Sequence, residues 1–155
     1  PAPPVAELVK VDTLVADAAF LLQPDMERAR VTYHSDIAEG VRVFADPEQV
    51  NRMLFNLMKN AVQAMPDGGK LTVRARPERN GVCLEVADSG PGISEAVRAQ
   101  LFEPFFTTRE KGSGLGLAVV SQTVADNGGH LELAGEEGEG AVFRVVLPAR
   151  AGRYS

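Results

Sequence analysis

The chain has 155 residues and a mass of 16.5 kDa, one domain by the usual size of about 100–200 residues, and its 45% apolar and 24% charged content is that of a folding chain. Lys and Arg number 16 against 21 Asp and Glu, a net charge of −5 that excludes sequence-independent attraction to nucleic acid or an anionic membrane. The single cysteine, Cys83, excludes an intrachain disulfide and a multi-thiolate zinc site. Its neighbours Val82 and Leu84 predict a packed core thiol. No apolar run approaches the roughly 18 residues that span a bilayer, and no charged segment leads into an apolar one at the start. The expectation is a soluble, cytoplasmic fragment without membrane contact of its own, whatever anchors its parent.

Pro1-Ala2-Pro3-Pro4 reads as a linker remnant, followed by a domain over 5–150 and a frayed tail over 151–155. Leu8, Val11, Leu14, Val15, Ala18, Ala19 and Leu22 recur at helical spacing, and Gln23-Pro24 is the predicted stop. Residues 30–35 and 41–44 are β-branched or aromatic and flank Glu39-Gly40, which predicts two strands joined as a hairpin. The strongest helix runs over 46–65. Asp46 is a good N-cap, Pro47 suits the first helical position, Gln49 stands three after the cap, and Pro66-Asp67-Gly68-Gly69 ends it. Strands are expected over 71–75 and 82–87 around an Asn80-Gly81 turn. The long irregular stretch over 88–116, with a short helix near 95–101, is of the kind that carries function. A helix over 117–127 stopped by Gly128-Gly129 and a strand pair over 131–133 and 141–147 close the domain.

On the 46–65 helix, Val50, Met53, Leu54, Leu57, Met58, Ala61 and Met65 form one apolar stripe. Asn56 and Asn60 lie one turn apart, with Asn60 about 20° beyond the stripe edge, so two carboxamides border the core. Ordinary helix-bonding asparagines would explain the same pair. Asp88-Ser89-Gly90-Pro91-Gly92 follows a strand, presenting a carboxylate where glycines admit a close ligand, although an Asx-capped turn accounts for these residues as well. Gly112-Ser113-Gly114-Leu115-Gly116 ahead of a helix offers backbone N–H groups to an anion. It is neither a dinucleotide fingerprint, since Leu117 stands where the third glycine belongs, nor a Walker A loop, since no Gly-Lys-Ser/Thr occurs.

The ordered set changes the reading. Asn56-Leu57-Met58-Lys59-Asn60-Ala61, Asp88-Ser89-Gly90-Pro91-Gly92, Phe102-Glu103-Pro104-Phe105-Phe106, Gly112 through Leu117, and Gly138-Glu139-Gly140 resemble the N, G1, F, G2 and G3 boxes of sensor histidine kinases. The resemblance covers about residues 5–148 and is closest to kinases of the nitrogen-regulation type. It implies the Bergerat-type ATP-binding fold, an α/β (α+β) two-layer sandwich with a mixed sheet and helices on one face. ATP and Mg²⁺ are the implied cofactors.

The resemblance also assigns roles. Asn56 and Asn60 would be catalytic, with Asn60 the Mg²⁺ ligand through its amide oxygen. Nucleotide contacts would come from Asn56, Lys59, Asn60, Asp88, Gly90, Gly92, Ile93, Phe102, Thr107, Thr108, Gly112, Ser113, Gly114, Leu115, Gly116 and Leu117. Asp88 would accept the adenine amino group, with Gly92 letting the base lie against the chain. Lys59, and also Arg109 or Lys111, are candidates for the phosphates, though each also suits a solvated surface. Thr107 and Thr108 would belong to a mobile lid. Phe102, Phe105 and Phe106 would be either the hinge that docks it or plain core plugs.

In the gyrase and heat-shock-chaperone relatives the position of Asn56 carries a water-activating carboxylate. An amide is no general base near neutral pH, which disfavours hydrolysis and favours transfer to an acceptor. The expected acceptor box, a His-Glu/Asp motif on a helical hairpin, is missing: His34 and His130 sit at strand ends and are expected to be structural or exposed. The expected function is therefore the ATP-binding catalytic domain of a two-component kinase, transferring the γ-phosphoryl group to a histidine on a dimerisation domain outside this chain, with a response regulator receiver domain as the next partner. An anti-sigma-type serine kinase of the same fold, and a nucleotide sensor that binds without transfer, remain open.

Overall fold

The computed structural model describes residues 3–79, 81–90, 114–135 and 140–150. Their elements in chain order are β1 (Glu7–Lys10), α1 (Val11–Ala29), β2 (Val31–Ile37), β3 (Arg42–Ala45), α2 (Pro47–Gln63), β4 (Gly69–Glu78), β5 (Gly81–Asp88), α3 (Gly114–Asp126), β6 (His130–Ala134) and β7 (Val142–Leu147).

The start of α2 forms as its sequence dictates. The Asp46 side chain accepts the amides of Glu48 and Gln49, at 3.0 and 3.2 Å, and Pro47 takes the first helical position where no N–H is needed. The stripe of Val50, Met53, Leu54, Leu57, Met58 and Ala61 is buried as its spacing requires. At the start of the chain, two expectations fail. Pro24 lies inside α1 instead of ending it: the buried positions Val11, Leu14, Ala18, Leu22 and Met26 keep their helical rhythm past it. The helical bond Pro24 forfeits belongs to the Phe20 carbonyl, on a turn whose side chain is 73% exposed, where the loss costs least. The helix ends at Arg30, in the left-handed conformation at φ 62°, whose amide returns to the carbonyls of Glu27 and Met26.

The predicted hairpin of the second and third strands is absent. β3 pairs antiparallel with β1, a strand that the apolar spacing did not announce, while β2 pairs in parallel with β4, from Val31 against Gly69 to Ile37 against Ala75. A parallel pair needs a long crossover, and β3 with α2 supplies it, leaving the helix on the sheet. The five-stranded mixed sheet has the order β2-β4-β5-β7-β6. The β4–β5 and β6–β7 pairs are antiparallel, as expected from the Asn-Gly turn and the closing strand pair.

Alternation divides the sheet. Leu71, Val73, Ala75, Leu84, Val86, Val145 and Leu147 are buried beneath the helices. On the opposite face one row of the register runs Asp36, Arg74, Glu85, Arg144, Glu132 across all five strands, alternating in sign. The Arg144 Nε donates to Glu85 at 2.6 Å and Arg74 stands 3.8 Å from the same carboxylate. Cys83 shares this outer face, half-buried, so it is not the core thiol expected; burial pushes its thiol pKa up, which keeps it protonated. His34 and His130 are exposed, within what the sequence predicted. The layout is the two-layer sandwich anticipated, with the helices on one face of a mixed sheet.

Candidate functional site

The site is built where the C-terminal half of α2 meets the end of β5. Asn56 and Asn60 are both half-buried at the edge of the apolar stripe, while Leu57 and Met58 between them are fully buried. The Asn60 carbonyl accepts the Ala64 amide, closing the last turn of the helix at 3.1 Å. Lys59 points out of that edge. Its ammonium lies 5.9 Å from the centre of the Phe55 ring on the same helix, an exposed position that keeps its charge available.

β5 is the middle strand of the sheet and delivers Asp88 at its end. One carboxylate oxygen, Oδ1, accepts the Gly90 amide at 2.8 Å and the Ala141 amide at 3.3 Å, and the backbone N–H of Asp88 donates to the Ala141 carbonyl at 3.0 Å. Two backbone donors therefore hold the carboxylate as an acceptor at a fixed angle. The loop beyond it is fastened to the start of β4 and to the turn that follows α2. The Ser89 hydroxyl accepts the Lys70 amide at 2.8 Å and donates to the Met65 sulfur at 3.5 Å. A Cβ on Gly90 would stand 3.0 Å from the Ala64 carbonyl oxygen and 3.1 Å from Asp88 Oδ1, so glycine is what allows the strand end to meet the helix turn. Gly140, at φ +91°, is required for a like reason: a Cβ there would overlap the Asp88 carbonyl oxygen.

The structure thus brings Asp88 and Gly90 together and seats Gly90 against the Ala64 carbonyl, one turn beyond Asn60, with Lys59 beside Asn60 and Asn56 a turn before it. Gly114, Leu115 and Gly116 form the first turn of α3 rather than the loop ahead of it, and Leu117 turns its side chain into the core at 7% exposure, which leaves backbone as what it offers a ligand. Gly92, Ile93, Phe102, Phe105, Phe106, Thr107, Thr108, Arg109, Lys111, Gly112 and Ser113 lie outside the described residues, as do Gly138 and Glu139. Two features escaped the sequence reading. Ala141, whose amide binds Asp88, carries no side-chain signal. Asn127, 7% exposed, binds across from α3 to the start of α2, and before a Gly-Gly stop it resembles any helix-ending asparagine.

Residues 45–151 match the family model described as histidine kinase-, DNA gyrase B-, and HSP90-like ATPase. The chain belongs to this ATPase family. Within it, the chain is of the kind found as the ATP-binding catalytic domain of sensor histidine kinases. It is 35% identical to sensor histidine kinase ZraS of Escherichia coli (strain K12) over 151 residues, 95% of this chain and 32% of that one. The catalytic domain of histidine kinase ThkA is similar at a TM-score of 0.85 with 26% identity, over 94% of this chain and 96% of that one. ShkA, in a full-length structure in complex with AMPPNP, is similar at a TM-score of 0.82 with 31% identity, over 94% of this chain and 32% of that one. The chain thus spans about a third of the length of ZraS and of ShkA. Among the described residues no helix is long and apolar enough to cross a membrane.

The residues present suit the cofactors of such a domain. No group of three or more His, Cys, Asp or Glu that could hold a metal occurs among the described residues. A magnesium ion here would take from Asn60 one amide oxygen, a hard ligand that suits it, and the rest of its shell from phosphate and water.

Proposed function

We propose that this domain binds Mg-ATP between α2 and the end of β5 and donates the γ-phosphoryl group to a histidine on a dimerisation domain outside this chain. The unit that does so spans residues 5–150, with 1–4 as a link and 151–155 as a tail. A single observation carries the site: the Asp88 carboxylate is held by the Gly90 and Ala141 amides at the foot of the helix turn that bears Asn60. Asp88 accepts the adenine amino group, which selects adenine over guanine because a carbonyl there would face a carboxylate. The Asn60 amide oxygen holds the Mg²⁺ that accompanies the phosphates, and Lys59 adds positive charge beside them. Gly90 lets the strand end close on the helix turn and so fixes Asp88 toward the base, and the amides opening α3 at Gly114, Leu115 and Gly116 face the phosphates with the favourable end of the helix dipole. Gly92, Ile93, Phe102, Thr107, Thr108, Gly112 and Ser113 complete the nucleotide contacts.

In the transfer, an imidazole nitrogen of the acceptor bonds to the γ-phosphorus as the bond to the bridging oxygen of ADP breaks. Asn56 offers water an amide and not a general base at its position, which favours the acceptor over hydrolysis. The phosphohistidine then serves a response regulator receiver domain. The ThkA and ShkA likenesses support a nucleotide-binding domain of this kind. The test mixes the domain with labelled ATP and candidate helical-hairpin domains. Acid-labile, base-stable phosphate on the hairpin is expected, and it should vanish with Asp88→Asn. Acid-stable phosphate on serine would make the chain a serine kinase, and bound ATP with no transfer would make it a sensor.

A further inference from the structure

The opposite flank of the molecule carries a surface that nucleotide binding does not use. β2 is the edge strand of the sheet, and among the described residues no strand lies beyond it. Its bonds to β4 run through alternate residues. Gly69 donates to the Arg30 carbonyl at 3.4 Å and Ala38 donates to the Ala75 carbonyl at 2.9 Å, so even-numbered residues turn their polar groups inward. The amides and carbonyls of Tyr33, Ser35 and Ile37 therefore face the open edge. Over seven residues β2 contains no proline, glycine or lysine to blunt that edge, and its one carboxylate, Asp36, stands in register with Arg74 on the outer face of the sheet.

Beside this edge lies a groove of about 690 Å³, with Tyr33, Ser35 and Ile37 along one side and Val15 and Ala19 of α1 along the other. Phe20, at its lip, is 73% exposed. α1 leads directly into β2 and so runs back alongside it, which sets Glu27 beside Val31 at one end of the groove and Asp12 toward Ile37 at the other. Asp12 and Glu27 are its acidic residues, and among the described residues the lining holds no Lys or Arg.

We propose that this groove docks an extended, basic and apolar polypeptide segment, which adds a strand to the open edge of β2. Free main-chain donors and acceptors call for a strand, because a helix satisfies its own and would leave those of Tyr33, Ser35 and Ile37 as they are. Seven strand residues span about 20 Å, so the segment takes roughly that many residues, with alternate apolar side chains entering the groove beside Phe20. Asp12 and Glu27 call for Lys or Arg toward its two ends. A second copy of this chain is a poor occupant, since edge-to-edge pairing would bring its own Asp12 and Glu27 to the same groove and add −5 to −5 in net charge.

The proposal stands apart from nucleotide binding, and ATP affinity serves as its control. The probe is a library of random nine-residue peptides displayed on phage and selected against the purified chain. Selected peptides should alternate apolar residues with Lys or Arg near the ends, and should protect the Tyr33, Ser35 and Ile37 amides from hydrogen exchange. Ser35→Pro removes one outward donor without touching the pairing with β4 and should weaken the selected peptide at least tenfold, with ATP affinity unchanged. Should that variant fold poorly, Asp12→Asn with Glu27→Gln, both at exposed helix positions, should weaken the peptide severalfold and remove most of its salt dependence. Enrichment of peptides with helical apolar spacing, no enrichment, or a dimer closed through this face at micromolar concentration would each overturn the proposal.

Discussion

Asn127 accepts the amide hydrogen of Asp46 at 2.9 Å, 81 residues away in sequence, and its own amide group donates to Gln49 Oε1 and to the Thr123 carbonyl, each at 2.9 Å. One buried carboxamide thus joins the end of α3 to the cap of α2, the helix that carries Asn56 and Asn60. Replacing it with an apolar residue of similar size removes three bonds and takes its acceptor from the Asp46 amide, while the Thr123 carbonyl keeps the backbone amide of residue 127 at 3.1 Å. Asn127→Leu should lower unfolding free energy by about 1–3 kcal/mol, read as a reduced urea midpoint at unchanged slope. A variant as stable as the parent would show that the two helices are held by packing alone.

Asp46 makes that same cap depend on pH. Its carboxylate accepts the amides of Val5 at 2.8 Å and of Glu48 and Gln49, and these bonds, the Val5 amide foremost, hold its pKa below the ordinary carboxylate value. A depressed folded-state pKa means that the stabilisation is present above the unfolded pKa of about 4 and is lost as pH falls through the lower folded value. Asp46→Asn should keep most of the cap at neutral pH yet flatten the loss of stability as pH falls below about 4, and Asp46→Ala should cost about 1 kcal/mol at pH 7. Thermal melts of the three proteins across that range decide it; parallel curves for parent and Asp46→Asn would remove the carboxylate from the acid response.

The contrast between these two residues shows what was legible. Asp46-Pro47 and the stripe from Val50 to Ala61 are local signals, and α2 formed where they placed it. The antiparallel pairs that close on themselves were legible for the same reason. β1 and the parallel partner of β2 were not, because pairing between strands distant in sequence leaves no periodicity, and Pro24 misled because a local rule ignores how little an exposed turn loses. Of the proposed site, Asp88 and Asn60 stand in the sequence as motif residues in order. The amides of Gly90 and Ala141 that orient Asp88 were not legible, since backbone groups carry no letter of their own.

Asn56 bears on the fate of bound ATP. An amide cannot take a proton from water near neutral pH, so the purified domain should release phosphate from ATP at no more than a trace rate and should not label itself. A coupled phosphate-release assay with Asp88→Asn as its blank measures this. Robust turnover lost in Asp88→Asn would place an unrecognised base at the site and count against transfer as the purpose of the fold.

Gly140 and Gly40 allow backbone strain to be separated from site geometry. Both have positive φ, +91° and +76°, and alanine at either carries the strain of that conformation. Gly40 has nothing within 4 Å of the added Cβ, whereas at Gly140 that atom would collide with the Asp88 carbonyl oxygen. The collision must push apart the end of β5 and the stretch before β7, and with them the Ala141 amide that holds Asp88 Oδ1 at 3.3 Å. Gly40→Ala should therefore cost about 1–2 kcal/mol of stability and leave ATP affinity alone. Gly140→Ala should cost more stability, and at a temperature where both variants are fully folded it should also weaken ATP about tenfold. Calorimetric titration of both provides the comparison. Equal ATP affinity in the two would mean that Asp88 does not need the Ala141 amide to meet the base, and the second anchor would have to be dropped from the site.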